Sequence, residues 1–344
     1  MQTINFLIVN YNNYNYTVEC LESIYKTIQA CKNVKVRICV VDNSDSYKED
    51  NLLTQWCNGK VEDIVTSFPQ FVYPLQKKPL PYKLVKEKEI NNVTLVDQDS
   101  LIIIRQDVNK GFASANNLGI KFLMSLNDWT WIWLLNNDTV IDSKALENTI
   151  IYLKSVNNKK IGLVGSKLFY YNDPKKLQGI GVVYNKFLGT VNSIGKNNID
   201  QLSYKTFDYN KNISYPIGAS FFVCKSFLLD VGLMCEDFFL YYEELDWVLR
   251  GKEKNWQLGF ANDVHVYHKE GASINEGYSK YSSLLADKCS MVNRIKIAKK
   301  YYPYTVPTII LGVLGTLFNR IRRKQQDRII PLLKSVVKLK IDEN

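Results

Sequence analysis

Trp129-Thr130-Trp131-Ile132-Trp133-Leu134-Leu135-Asn136-Asn137-Asp138-Thr139 is the stretch whose reading decides the fold. An apolar run over residues 129–135 gives way abruptly to amide and carboxylate side chains. So short and dense a run fits a strand buried on both faces of a parallel sheet. The shape recurs upstream. Residues 4–9 are largely apolar and end in Asn10-Tyr11-Asn12, and residues 36–41 end in Asp42-Asn43-Ser44. Between them Val18, Leu21, Ile24, Tyr25 and Ile28 recur at helical spacing. Residues 101–104 repeat the strand pattern and feed a helix starting near Gly111. The alternation predicts an α/β fold, Rossmann-like, with a mostly parallel central sheet and helices on both faces. In open sheets of this kind ligands bind outside the carboxyl ends of the strands, so the three polar strand ends are expected to face one crevice.

The rest of the chain divides around that core. With 344 residues and 46% apolar content it can bury one large domain, expected at residues 1–277, followed by a helical basic extension over 278–344. Residues 58–100 are rich in Lys, Glu and Pro, lack periodicity, and read as an insertion packed over or beside the crevice. Residues 179–193 suggest a hairpin, 217–223 a buried strand, 243–254 a helix, 257–268 extended structure, and 278–302 a long helix. The N-terminus opens on a strand without a basic leader or cleavage site, which predicts a cytoplasmic protein. Seven cysteines, none spaced as Cys-x-x-Cys, predict reduced packing residues rather than a disulfide framework or zinc site.

Charge is unevenly placed. The formal net charge is +10, yet from Arg294 onward twelve Lys and Arg face three Asp and Glu, leaving the preceding 293 residues near neutral. A nucleic-acid partner is therefore not expected.

No Gly-rich phosphate loop is present, so bound phosphates need another counter-charge. Asn136, Asp138 and Thr139 offer hard oxygen donors suited to Mg or Mn, or simply a turn. Glu243, Glu244 and Asp246 crowd together behind an aromatic run. They read either as acids favoured by a helix N-terminus or as a cluster in which desolvation raises one carboxyl toward general-base duty. Only two histidines exist, and in an extended segment His265 and His268 fall on opposite faces.

The order of these motifs resembles family 2 glycosyltransferases of the GT-A fold, in the bacterial rhamnosyltransferase-like branch, over nearly the whole chain. Residues 8–12 and 41–44 are similar to the family's nucleotide-binding strand ends, which implies that Asn10, Tyr11, Asp42 and Asn43 line the base or ribose. Asn109-Lys110-Gly111-Phe112-Ala113, continued by Asn116-Asn117-Leu118-Gly119, resembles the family's donor-site stretch. Residues 135–139 fall at the DxD-type motif, with Asp138 at the metal-binding position and Asn136 in place of the first Asp. Residues 242–247, with Arg250, are similar to the Glu-Asp-x-Asp segment, which implies Glu244 as catalytic base, with Asp246 beside it and Glu243 and Trp247 toward substrate. Residues 268–273 resemble a His-x-x-Gly-x-Ser segment, implying His268 as a second metal ligand. Asn293-Arg294 is similar to the end of an Arg-Asn-Arg stretch on a late helix, with Val292 in place of the first Arg. The resemblance implies an inverting hexosyl or deoxyhexosyl transfer from a nucleotide diphosphate-sugar to a glycan or lipid-linked acceptor, aided by Mg or Mn. The alternative on the same fold is a non-catalytic nucleotide-sugar or glycan-binding protein.

The tail carries a 19-residue uncharged run over 301–319, interrupted by Pro303, Pro307, Gly312 and Gly315 and flanked by basic residues. Residues 329–341 mix Ile, Leu and Val with three lysines. Peripheral attachment to the inner face of the cell membrane is the favoured reading, and a true membrane span, a helical hairpin folded back on the domain, or a dimer contact are the alternatives.

Overall fold

The computed structural model describes residues 3–31, 34–95, 101–126, 128–157, 159–200, 207–269 and 283–341. The continuation of the His segment through Gly271 and Ser273, and the expected start of the late helix over 278–282, lie outside the described residues.

A ten-stranded mixed sheet organises the chain. Its strands are β1 (Thr3–Asn10), β2 (Lys35–Asp42), β3 (Tyr82–Lys86), β4 (Leu101–Arg105), β5 (Trp131–Asn136), β6 (Thr139–Ile141), β7 (Ile161–Tyr170), β8 (Asp173–Gly179), β11 (Ser220–Cys224) and β12 (Gln257–His268). A separate hairpin pairs β9 (Gly181–Asn185) with β10 (Thr190–Ile194). The order is β3-β4-β2-β1-β5-β11-β7-β12-β6, with β8 against β7. From β3 to β5 every neighbour is parallel; β11 runs antiparallel to both β5 and β7.

The helices are α1 (Tyr14–Ala30), α2 (Leu52–Cys57), α3 (Pro69–Val72), α4 (Phe112–Met124), α5 (Ala145–Ser155), α6 (Tyr209–Asn212), α7 (Lys225–Val231), α8 (Glu243–Glu253), α9 (Leu284–Tyr301), α10 (Val306–Arg322) and α11 (Ile329–Lys338). On β1, Asn10 reaches Thr17 of α1, whereas Leu7 meets Gly119 of α4. Positions 7 and 10 project to opposite faces of a strand, so the two helices cover opposite sides of the sheet. A Cβ at Gly119 would come within 2.2 Å of the Leu7 side chain, which is why α4 seats so closely.

Residues 58–100 supply more than a cover. They contain α3, the edge strand β3, which extends the sheet parallel to β4, and a 3-10 turn (Glu87–Asn92). Buried Glu22 of α1 secures the segment: it accepts from Trp56 Nε1 at 2.7 Å, the Gln76 amide at 2.7 Å and Lys78 Nζ at 2.9 Å. All seven cysteines are free.

At the C-terminus α10 and α11 fold back onto α9. Met291, Ile295 and Ala298 of α9 form one apolar cluster with Ile309, Val313 and Leu317 of α10 and Leu332 of α11. Buried Asp287 of α9 ties the bundle, accepting from Arg320 Nη2 at 2.6 Å and Arg328 Nη1 at 2.9 Å.

Candidate active site

The chain reverses its direction of sheet growth at β1, with β2 added on one side and β5 on the other, and the polar strand ends gather at this switch point. Asn10 pairs with Asp42 in register, and Val9 with Asn136. Asn10 Nδ2 donates to Asp42 Oδ1 and Ser44 Oγ, each at 3.0 Å, while its Oδ1 accepts from Thr17 at 2.7 Å and from Asn137 Nδ2 at 3.2 Å. Asp42 is fully enclosed: Ser44 Oγ donates to Oδ1 at 2.6 Å and Tyr14 Oη to Oδ2 at 2.8 Å. Asp42 therefore braces the crevice floor, and the accessible groups beside it are Tyr11 and Asn12, both bonded to the exposed Asp45. Burial, reinforced by Asp45, pushes the Tyr11 hydroxyl up to about 12, so it stays a neutral donor at physiological pH.

One wall comes from the loop before α4. Asn109 Oδ1 accepts from Asn43 Nδ2 at 2.9 Å and from the Gly111 amide at 3.0 Å. Gly111 has φ +92°, and a Cβ there would stand 2.3 Å from the Phe239 carbonyl, which accepts from the Phe112 amide at 2.9 Å. Residues 109–113 are thereby locked to the segment that precedes α8. Lys110 stays exposed, 3.8 Å from Glu87 of the inserted segment. Asn116 spends its amide on the Phe112 carbonyl at 3.0 Å within the helix. The adjacent Asn117 of the same stretch clamps the Met234 backbone and Glu236 at 2.8–3.0 Å.

Asp138 follows β5 and meets His268 at the end of β12, with Asp138 Oδ1 and His268 Nε2 3.1 Å apart and both side chains buried. The other ring nitrogen, Nδ1, lies 2.8 Å from Gln178 Oε1, an oxygen that can only accept, so Nδ1 carries a proton. Nε2 and the carboxylate then face each other and need a positive charge between or upon them. Burial works against ionisation of Asp138, but the charge and hydrogen bond of His268 outweigh it and hold the carboxyl below its usual value. The pair would offer one carboxylate oxygen and one imidazole nitrogen to a divalent cation such as Mg or Mn. Asn136 stands at the same strand end. Among the described residues no third His, Cys, Asp or Glu joins the pair.

The acidic cluster opens α8. Tyr241 and Tyr242 adopt φ of +69° and +77°, a region uncommon for residues with side chains. Asn293 of α9 holds this turn, its amide donating to the Leu240 carbonyl at 2.9 Å and the Tyr241 carbonyl at 3.0 Å. Tyr242 Oη donates to the Gly189 carbonyl at the tip of the β9–β10 hairpin, at 2.8 Å. Glu244 is thus aimed at Gly218, where a Cβ would stand 1.9 Å from its Oε1. Gly218 precedes Ala219, whose carbonyl accepts from the Asn136 backbone N–H at 2.9 Å, and so Glu244 lies near the end of β5. Burial raises the Glu244 carboxyl to about 7. Glu243 is buried too, its Oε2 lacks a hydrogen-bond partner, and burial with the neighbouring Glu244 charge drives it well above the ordinary range.

Two sequence expectations change here. Asp246 turns away by two residues, about 200° around a helix. Both its oxygens are taken, by Arg250 Nε at 2.8 Å and by Lys300 Nζ at 2.6 Å and Tyr301 Oη at 2.7 Å, so it anchors α9 to α8 rather than facing the crevice. Trp247 is wholly buried against Phe221 and Phe227, with its indole N–H on the Gly232 carbonyl at 2.8 Å, and offers no face to a sugar.

This architecture matches the GT-A fold. The crystal structure of GalNAc-T7 with UDP, GalNAc and Mn2+ superposes with a TM-score of 0.54 at 11% identity, over 95% of this chain. The chain spans only about half, 51%, of that protein's length. Staphylococcus aureus TarS residues 1–349 align over 98% of this chain and 92% of theirs, at 13% identity and a TM-score of 0.45. In sequence, the low-salt glycan biosynthesis hexosyltransferase Agl10 of Haloferax volcanii is 22% identical over 323 residues, 93% of this chain and 83% of Agl10. No known family profile matches the chain.

Proposed function

We propose that the chain is an inverting glycosyltransferase of the family 2, rhamnosyltransferase-like kind. It moves a hexose or deoxyhexose from a nucleotide diphosphate-sugar to a hydroxyl of a glycan or lipid-linked saccharide, on the cytoplasmic side, in cell-surface polysaccharide synthesis. The observation that carries this reading is Glu244: a buried carboxyl raised to about 7, reaching Gly218 near the end of β5, after which Asp138 pairs with His268 of β12. The hexosyltransferase name of the Haloferax relative and the UDP and Mn2+ of the GalNAc-T7 structure support the same reaction class.

Tyr11, Asn43 and the loop of Asn109, Lys110 and Gly111 bind the donor nucleotide. Asp138 and His268 would hold Mg or Mn, which when bound offsets the charge of the departing diphosphate. Glu244 takes the proton of the acceptor hydroxyl as that oxygen attacks the anomeric carbon, and the nucleotide diphosphate leaves from the opposite face with the bonding pair. A single displacement inverts the anomeric centre and needs no covalent nucleophile on the protein. Glu243, neutral beside it, keeps a second negative charge out of the pocket.

A panel of nucleotide sugars incubated with Mn, read as nucleotide release and as transfer to saccharide acceptors, tests the reading. At least one donor is expected to turn over with wild type and not with Glu244→Gln. Tight nucleotide-sugar binding by calorimetry, with no turnover of any donor, would instead establish the non-catalytic alternative.

A further inference from the structure

Among the described residues, the C-terminal bundle presents an apolar face that nothing in the preceding domain covers. α10 turns Ile309, Val313 and Leu317 inward onto α9. A second side rests on the β9–β10 hairpin, where Thr308 Oγ1 donates to the Phe187 carbonyl at 2.6 Å and Gly312 lies against the Leu188 carbonyl. At 100° per residue the remaining side carries Ile310, Leu311, Leu314, Phe318 and Ile321, and all five are exposed, Leu311 at 66% and Phe318 at 60%. α11 repeats the arrangement, with Leu332 buried and Ile330, Leu333 and Val337 turned outward. Apolar exposure of this extent marks a contact surface.

The rim of that face is cationic. Exposed Arg322, Arg323 and Lys324 close α10, and exposed Lys334, Lys338 and Lys340 border the outer side of α11. We propose that the protein docks peripherally on an anionic lipid bilayer through the outer faces of α10 and α11. An occupant that is apolar beneath an acidic surface satisfies both features, with side chains entering the acyl boundary while the basic rim meets headgroups. A second copy of this chain would bring two basic rims together, a like-charge juxtaposition that opposes association. Residues Pro303–Arg322 have the length and composition of a membrane span, yet spanning would strip Ile309, Val313 and Leu317 from α9 and carry Arg320 away from Asp287. The face therefore lies on the bilayer, and the surface stands independent of the chemistry at Glu244.

Flotation of the full chain with phosphatidylcholine vesicles, with and without a fraction of phosphatidylglycerol, tests the surface. Wild type is expected to float only with the anionic vesicles, and to be released by high salt or alkaline carbonate. A Leu314→Glu/Phe318→Glu double variant and an Arg322→Gln/Arg323→Gln/Lys324→Gln triple variant should each lower the bound fraction about tenfold or more. Unchanged circular dichroism and thermal melting of the variants exclude misfolding as the cause. Absence of flotation by wild type, undiminished flotation of both variants, or resistance to carbonate would overturn the proposal. A dimer dissolved by Phe318→Glu, with no flotation, would overturn it equally.

Discussion

Glu244 carries two expectations that pull in opposite directions with pH. Its carboxyl titrates near 7 in the folded chain against about 4.5 unfolded. As a general base it works only when ionised, so kcat/KM should rise with pH through about 7 and level above it. Stability behaves inversely: between about 4.5 and 7 the folded state binds more protons than the unfolded one, so this group's contribution falls as pH rises. Parallel pH series of initial rate and of urea midpoint read both signs, and a rate that declines across this interval would remove Glu244 from the role. Glu244→Gln should cost about 10²- to 10⁴-fold in rate while leaving the melting temperature unchanged or higher, since it removes a buried ionisable group. Gly218→Ala works through the same oxygen. Its Cβ would occupy the place of Glu244 Oε1, and a displacement of about 1 Å at a reacting group can cost about 10²-fold. Calorimetric affinity for the donor nucleotide should stay the same, because the added methyl meets Glu244 and none of Tyr11, Asn43, Asn109 or Lys110.

Elements explain which parts of this arrangement were legible in the sequence. β12 (Gln257–His268) matches the extended run read over residues 257–268, and α8 (Glu243–Glu253) ends one residue before the helix read over 243–254. Both segments have dense apolar periodicity with sharp polar borders, so local pattern and tertiary placement agree. β3 went unread because it is an edge strand, Tyr82-Lys83-Leu84-Val85-Lys86, in which only Val85 is buried. Edge strands carry charge to discourage further pairing, and that erases the hydrophobic signal. Glu243, Glu244 and Asp246 were legible as a cluster, but which of them face the crevice depends on partners 50 residues away. Gln178 and Gly218 are remote from the motifs they serve, and Gly218 acts by having no side chain at all, whereas Asn293 was legible as part of a late-helix motif but not as the clamp on Leu240 and Tyr241. Asn293 yields a test at this scale. Asn293→Ala frees the Leu240 and Tyr241 carbonyls and leaves the two left-handed tyrosines, each costing about 1–3 kcal/mol, without their clamp. Turnover should drop about tenfold with the donor KM nearly unchanged, since the base moves and the nucleotide wall does not. An equal rise in KM would instead assign Asn293 to donor binding.

Across the whole molecule, two buried carboxylates fasten the peripheral segments to the core. Glu22 gathers Trp56, Gln76 and Lys78, and Asp287 gathers Arg320 and Arg328. Removing one member of such a set strands the others, with a cost of about 3–5 kcal/mol. Glu22→Ala should make residues 58–80 sensitive to limited proteolysis, and Asp287→Ala should do the same for the links around α10 and α11. In each variant the other segment should stay protected, because the two sets share no residue. Simultaneous loss of protection in both segments from either substitution would show that they unfold as one unit.

α9 belongs to two neighbourhoods at once. One side lends Asn293, Lys300 and Tyr301 to the turn and first helix that present Glu244, and the other receives α10 and α11. This divides the tail's inheritance in an uneven way. A chimaera joined between α8 and α9 would separate Asp246 from its cation and hydroxyl partners and would have to import matching ones. A junction after Tyr302 would keep the support of Glu244 but part Asp287 from Arg320 and Arg328, so an exchanged tail must bring two cations to that carboxylate and an apolar face to Met291, Ile295 and Ala298.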